Sequence, residues 1–206
     1  MADGPRRRLS RERRRQLIED AAAARFAEHG FAAARLEDIA ADAGVTKQLL
    51  YRHFADKTTL YLALLRRHRD ELDGFVAAIP AEGTLEGRLR AVAEVWLDYV
   101  QEHGYAWKLL FRDSGGGPEI QAFRAEVHAR ARDVLVAIIR ELGGATVPRR
   151  EREPLAELLS MGQAALVLWW IDNPSAQRAA IVDAITRTWL GVLTTELGAD
   201  RASTTA

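Results

Sequence analysis

Apolar positions recur every three or four residues along most of the chain, the spacing of helices packed on one face. Leu17, Ile18, Ala21, Ala24 and Phe26 form a stripe that predicts a first helix from about Ser10 to His29, ended by Gly30. Leu36, Ile39, Ala40 and Ala43 give a second, short helix its apolar face. Gly44 follows where that helix must stop, because a residue without a Cβ turns left-handed at little cost. Thr46 has N-cap chemistry: its hydroxyl accepts from a backbone N–H two or three residues on. The helix after it buries Leu49, Leu50 and Phe54 and leaves Lys47, Gln48, Tyr51, Arg52 and His53 on the other side. A fourth helix starts near Asp56, with Leu60, Tyr61, Leu64 and Leu65 facing inward.

Beyond a break at residues 79–84, Leu85, Leu89, Val92, Trp96, Tyr99, Val100 and His103 follow one face of a long helix that Gly104 interrupts. Trp107 to Phe111 reads as a short helix, and Asp113 to Pro118 is the strongest loop signal in the chain. A helix from Pro118 to Leu142 has its proline in the first turn, as expected, and Gly143-Gly144 closes it. Pro154 opens another helix through Ile171; after a turn at 172–175, the last runs to about Leu197. These two are unusually apolar, and the short turn makes them antiparallel. Helices apolar over more than one face need cover on two sides. The body supplies one side, and a second copy supplies the other, in a symmetric contact through Leu159, Gly162, Ala165, Leu166, Trp189 and Val192. A buried hairpin without dimerisation is the alternative.

The stretch from Leu36 to Leu65 carries most of the functional information. A short capped helix with exposed donors, braced by another helix across a glycine turn, is what a major-groove reader needs. Six spaced elements match together: Gly30-Phe31, Asp38-Ile39-Ala40, Ala43-Gly44-Val45-Thr46, Leu50-Tyr51, His53-Phe54 and Lys57. Over residues 11 to 65 the chain resembles the N-terminal domain of TetR-type transcriptional regulators. The resemblance implies an all-α homodimer: a three-helix helix-turn-helix DNA-binding head, a connecting fourth helix, and a larger helical ligand-binding and dimerisation body. Lys47 and Gln48 then stand where side chains reach base edges, since Lys donates to guanine O6/N7 and Gln pairs with adenine N6/N7. Thr46, Tyr51, Arg52, His53 and Lys57 belong to the same DNA surface, the last four as phosphate contacts. One departure is Arg35, where the family commonly has Thr or Ser. Arginine does not cap as a short hydroxyl does, but it reaches a phosphate as a cation.

Charge supports this reading only through its distribution. The formal net charge is zero, yet residues 1–58 hold 12 Arg/Lys against 9 Asp/Glu, and the first 15 residues hold 7 arginines against two acids. Basic charge beside a DNA head drives affinity through counterion release. There is no cysteine, hence no disulfide framework or thiolate chemistry. No uninterrupted apolar run reaches the ~18 residues of a membrane span, and the arginine-rich start lacks the apolar segment of a secretory signal. A cytoplasmic protein is expected, with no membrane partner.

A second site is suggested by large aromatics in the body: Trp96, Tyr99, Trp107, Phe111, Phe123 and Trp170, with His103 one turn from Tyr99. Most packed aromatics are simply core. An aromatic-walled cavity with a few polar groups is nevertheless the usual form of a small-molecule site, and fits a small hydrophobic or aromatic effector. The lack of a clustered cationic set here argues against a multiply acidic one. Gly115–Gly117 lacks the Lys-Ser/Thr of a P-loop. Ser114 lacks the first glycine of a nucleophile elbow. His103, His128 and Asp113 do not form a metal-ligand pattern, so no metal, cofactor or catalytic residue is assigned.

The expected organisation is a flexible basic arm (1–9), a helix-turn-helix domain (10–55), a connecting helix (56–75), a ligand-binding and dimerisation domain (76–200) and a disordered tail (201–206). The expected function is a homodimeric, ligand-responsive regulator, a repressor released from a palindromic double-stranded operator by its effector. The alternatives are a DNA-binding regulator without an effector, favoured if the body has no cavity, and a helical enzyme with an accessory DNA-binding head.

Overall fold

The computed structural model describes residues 10–77, 82–112, 115–143 and 148–203, with side chains described except at 72–77, 141–143 and 195–203. Among the described residues the regular structure is entirely helical: α1 (Arg11–Ala33), α2 (Leu36–Asp42), α3 (Lys47–His53), α4 (Lys57–Ala77), α5 (Leu85–Phe111), α6 (Pro118–Gly143), α7 (Arg149–Asp172) and α8 (Arg178–Ser203).

The helix starts follow from local chemistry. Ser10 Oγ accepts from Arg13 N at 3.0 Å, Thr46 Oγ1 from Leu49 N at 3.2 Å, and Thr84 Oγ1 from Gly87 N at 3.1 Å. Asp56 does the same for α4, accepting from Thr59 N at 2.7 Å, which holds its carboxyl below the usual range. Each satisfies an amide that the first helical turn leaves unpaired. Arg35, ahead of α2, makes no side-chain cap. Gly44 closes α2 at φ +64 with open space around it, so the left-handed backbone and not crowding calls for glycine.

The head and the connecting helix share one core. Ile18, Phe26, Ile39, Leu50 and Phe54 pack with Leu60, Tyr61 and Leu64 of α4, and the cluster continues into Leu109 of α5 and Ile120 of α6. A second core fills the body between α5, α6, α7 and α8, with Leu97, Trp107, Ile139, Val167, Ile185 and Trp189 among its buried members. Burying each such side chain contributes about 1.5–3 kcal/mol.

Several boundaries differ from those the sequence suggests. Gly30 bends α1 (φ 73, ψ 169), but the helix resumes to Ala33. Phe31 anchors that extra turn by packing edge-on to Tyr61 at 5.1 Å. Residues 107–111 are not a separate helix; α5 runs through them with a kink at His103 (φ −131, ψ 38). α7 begins five residues before Pro154, which lies inside it. Arg149–Glu153 are helix formers, and they extend the helix ahead of the exposed Pro154 despite the ladder bond that a proline removes. α8 continues to Ser203, past the end near Leu197 that the sequence suggests. The arm at 1–9 and residues Asp113 and Ser114 lie outside the described residues. α7 has the length and mean hydropathy (1.3) of a membrane span. Its Ala156, Leu159, Ala164 and Val167 are nevertheless spent on the body core.

Candidate functional site

Three surfaces are built on this frame. The first is the outer side of α3. Its Leu50 is fully buried and fixes the helix on the head core, while Lys47, Gln48, Tyr51 and Arg52 are exposed. Thr46 and Arg35 are exposed beside them. Lys47 is ion-paired to Glu37 of α2, which raises the ammonium pKa and lowers that of the carboxyl. The same ammonium lies 5.8 Å from the Tyr51 ring centroid. Burial, and then the charges of Arg11, Arg14, Arg15 and Arg52, push the His53 pKa down. His53 is therefore a neutral imidazole near pH 7, able to donate one N–H, within a basic surface built by α1 and α3.

Lys57 is employed differently from the other cations. Its Nζ donates to the carbonyls of Ala32 and Ala34, both at 3.1 Å, and sits 4.7 Å from the Phe31 ring centroid. It closes the end of α1, and at most one of its three donors is left for a phosphate.

The second surface is a cavity in the body between α5, α6, α7 and α8. It is open to solvent, and the empty space within it and at its mouth comes to about 790 Å³. Trp96, Trp107 and Phe111 line it, as do Val127, Leu135 and Trp189. Trp96 meets Trp107 edge-on at 5.2 Å, and Trp107 meets Phe111 at 4.4 Å. Trp107 Nε1 donates to Ala164 O at 3.3 Å, so its indole turns an apolar surface to the cavity. The aromatic set thus divides, and Tyr99, His103, Phe123 and Trp170 are outside the lining. Trp170 is in the core with Nε1 donating to Ala176 O at 3.1 Å. Phe123 is buried under the guanidinium of Arg69, 5.2 Å from its ring centroid.

Tyr99 and His103 instead join a polar knot between α4 and α5. His68, fully buried, has Nδ1 3.0 Å from both Tyr99 Oη and Glu71 Oε2. His103 stacks at a tilt on Tyr99, 4.9 Å between centroids. Burial drives the His68 pKa down to about 4 and the Tyr99 hydroxyl up. Arg67 extends the knot to the head, with contacts to Glu19 at 3.5 Å and Asp20 at 3.4 Å.

The cavity residues that the sequence did not single out include Val92 of α5, a stripe on α6 (Val127, Ala131, Val134, Ile138), and Arg69 and Arg130. The α6 stripe is visible as helical spacing once the facing helix is known. The two arginines are 61 residues apart on different helices, and they place two cations in a lining where the sequence shows no clustered cationic set.

The third surface is the outer face of α7. Leu158, Met161 and Trp169 are 66%, 39% and 51% exposed, and Gly162 and Ala165 are exposed on the same side. Neither Gly162 nor Gly191 of α8 has an atom within 4 Å of where a Cβ would stand. Leu166 and Val192 are half-buried. Leu159 and Trp189 are 4% and 3% exposed within the subunit's own core, so they are not presented to a partner. Among the described residues no cluster of three His, Cys, Asp or Glu side chains is arranged to hold a metal.

A capped helix presented from a three-helix head, on a separate helical body with an apolar cavity, defines the class of helix-turn-helix transcriptional regulators. Comparison with known proteins gives the family. Residues 18–64 match the model of bacterial regulatory proteins of the tetR family, and residues 85–191 match a tetracyclin repressor-like C-terminal domain. The chain belongs to the TetR family of transcriptional regulators. It is 30% identical to the transcriptional activator FasR of Mycolicibacterium smegmatis over 93% of this chain and 89% of that one. It is 31% identical to the transcriptional repressor SCO4008 of Streptomyces coelicolor over 80% and 81%. A solved TetR-like regulator from Rhodococcus sp. RHA1 superposes with a TM-score of 0.74 at 26% identity, covering 90% of this chain and 98% of that one. These relatives are transcriptional regulators and not enzymes.

Proposed function

We propose that the protein is a homodimeric repressor that leaves a palindromic operator when a small hydrophobic molecule fills the body cavity. The observation that carries the reading is the α3 surface: Leu50 locks the helix to the head while Lys47, Gln48 and Tyr51 stand out from its first turns. Lys47 and Gln48 face base edges, and Arg35, Thr46, Tyr51, Arg52 and His53 hold phosphates around them. Lys57 adds one phosphate donor while it secures α1. Lys47 exchanges Glu37 for DNA on docking, a weak exposed ion pair given up for a charge-assisted contact.

Two copies joined through the exposed α7 face place two α3 helices toward successive major grooves, about 34–36 Å or a multiple apart. The effector works by favouring a dimer whose heads are wrongly spaced for DNA over the competent one. Support for an effector comes from the apolar cavity and from a regulator of the same fold, FadR of Bacillus subtilis, solved in complex with stearoyl-CoA (TM-score 0.69, 18% identity). The site of action is the cytoplasm, where the operator lies.

The test is a titration of labelled operator, selected from random duplexes, with wild-type protein. Binding as a dimer, followed by release on adding a hydrophobic ligand that quenches tryptophan emission, is the expected result. Tight operator binding that no cavity ligand affects refutes the effector and leaves a constitutive regulator.

A further inference from the structure

We infer that the cavity's ligand is an amphipathic acid, with an apolar body and one anionic end held by Arg69 and Arg130. The inference rests on the reading of this cavity as the effector site. The lining is mixed. Trp107, Leu135 and Trp189, each buried, contribute apolar surface. Arg69, on α4, and Arg130, exposed on α6, contribute two guanidiniums. No aspartate or glutamate lines the cavity, and Ser160 and Gln163 are its neutral polar groups. Two guanidiniums without a lining carboxylate favour an anion and oppose a cation, and the apolar walls nearby lower the local dielectric and strengthen both effects. Guanidinium forks also match a carboxylate or phosphate in shape.

Two of the partners of Arg69 are exposed carboxylates. Asp70 holds it at 2.7 Å and Glu126 at 3.5 Å, and these acids are 65% and 59% exposed. Exposed ion pairs of this kind stabilise little, so a ligand's acid exchanges readily with Glu126. The exchange bears directly on the head. Arg69 is two residues from Arg67, which reaches Glu19 and Asp20 of α1. The ligand therefore draws on the helix that carries the DNA-binding domain while its apolar body separates α5, α6 and α7.

The anion can come from two chemical sources: a free carboxylate, or the phosphates of a carrier esterified to an apolar acyl chain. Four probes of equal chain length separate them: dodecanoate, dodecanoyl-CoA, dodecanol and dodecyltrimethylammonium. Binding is read by quenching of the tryptophans that line the cavity, in wild type and in Arg69→Gln and Arg130→Gln, with operator affinity measured in parallel. The expected result is that at least one anionic probe binds tenfold or more tightly than the alcohol, with the ammonium weakest. The preference should collapse in both variants, with affinity for the alcohol falling far less than affinity for the acid. Dodecanoate ahead of the CoA ester identifies the carboxylate as the anion, and the reverse order identifies the carrier's phosphates. Equal binding of acid and alcohol, or tighter binding of the ammonium, overturns the acidic end but leaves a hydrophobic effector standing. Absence of quenching by all four overturns the effector site itself.

Discussion

Arg124 of α6 donates from Nη2 to the Tyr61 hydroxyl of α4 at 2.6 Å, although Arg124 is only 5% exposed. The same guanidinium reaches Leu109 O of α5 at 3.2 Å and Gly115 O at 2.7 Å. Tyr61 in turn meets Phe26 of the head edge-on at 4.8 Å. One buried side chain therefore ties the helix that walls the cavity to the helix behind the DNA-binding domain.

Removing this tie should cost stability and loosen coupling. Tyr61→Phe deletes only the hydroxyl and should destabilise by about 1–2 kcal/mol; Arg124→Met, which removes three charge-assisted hydrogen bonds made by a buried guanidinium, should cost about 2–4 kcal/mol. Denaturant titration gives both values. If the pair also carries the effector signal, Tyr61→Phe should bind ligand normally yet release operator less completely. A double-mutant cycle on release separates that effect from stability.

On the DNA face, Lys47→Ala and Gln48→Ala should each weaken specific operator binding by about 1–3 kcal/mol, with smaller effects on random duplex. Glu37→Gln should act oppositely, because it releases Lys47 and removes a negative charge facing DNA. Lys57→Ala should lower thermal stability as well as affinity, since it strips the Ala32 and Ala34 carbonyls, at the end of α1, of their donor. Fluorescence anisotropy at two salt concentrations, with a melting curve for each variant, tests the set. A tighter Lys47→Ala variant would remove this residue from the interface.

The exposed α7 face and the core behind it should respond differently. Ala165→Glu places a charge on an exposed small residue, so it should yield a folded monomer with operator affinity lost. Leu159→Ala should instead cost about 2–5 kcal/mol of stability, because that side chain fills the subunit's core. Sedimentation and calorimetry distinguish the two. An Ala165→Glu dimer would place the interface elsewhere.

Stability should also fall on acidification. His68 has its folded pKa lowered to about 4, below the ordinary 6.5, so the unfolded chain takes up the proton first. Its neutral form thus favours the fold fully above about pH 6.5, and this contribution is lost as pH falls towards 4. By pH 4 the loss should approach roughly 3 kcal/mol, from a shift of that size at about 1.4 kcal/mol per unit. His68→Gln should flatten the dependence. An unchanged slope in that variant would assign the effect to other groups.

The head was legible because its determinants are local. Thr46 caps within three residues, Gly44 turns where α2 ends, and Leu50 marks the buried side of α3. The body was less legible, for equally physical reasons. Helical spacing shows that Trp170 and Leu159 are buried but not against what, so core and interface look alike along the chain. Leu158, Met161 and Trp169 were recoverable from their i, i+3, i+11 spacing only once the opposite side of α7 was known to face the core. Arg69 and Arg130 come together only through tertiary packing. Tyr99 and His103 have the right chemistry for an effector site, but His68, 31 residues before Tyr99, takes them into a separate knot.

The most direct test is the selection of duplexes from a random pool by the wild-type protein, repeated with Gln48→Ala. The account predicts that the wild type enriches an inverted repeat whose half-sites lie one helical turn, or a multiple of it, apart. It also predicts that Gln48→Ala relaxes the same position in both half-sites. Enrichment of a single asymmetric site, or an unchanged repeat with Gln48→Ala, would contradict docking of a symmetric dimer through α3.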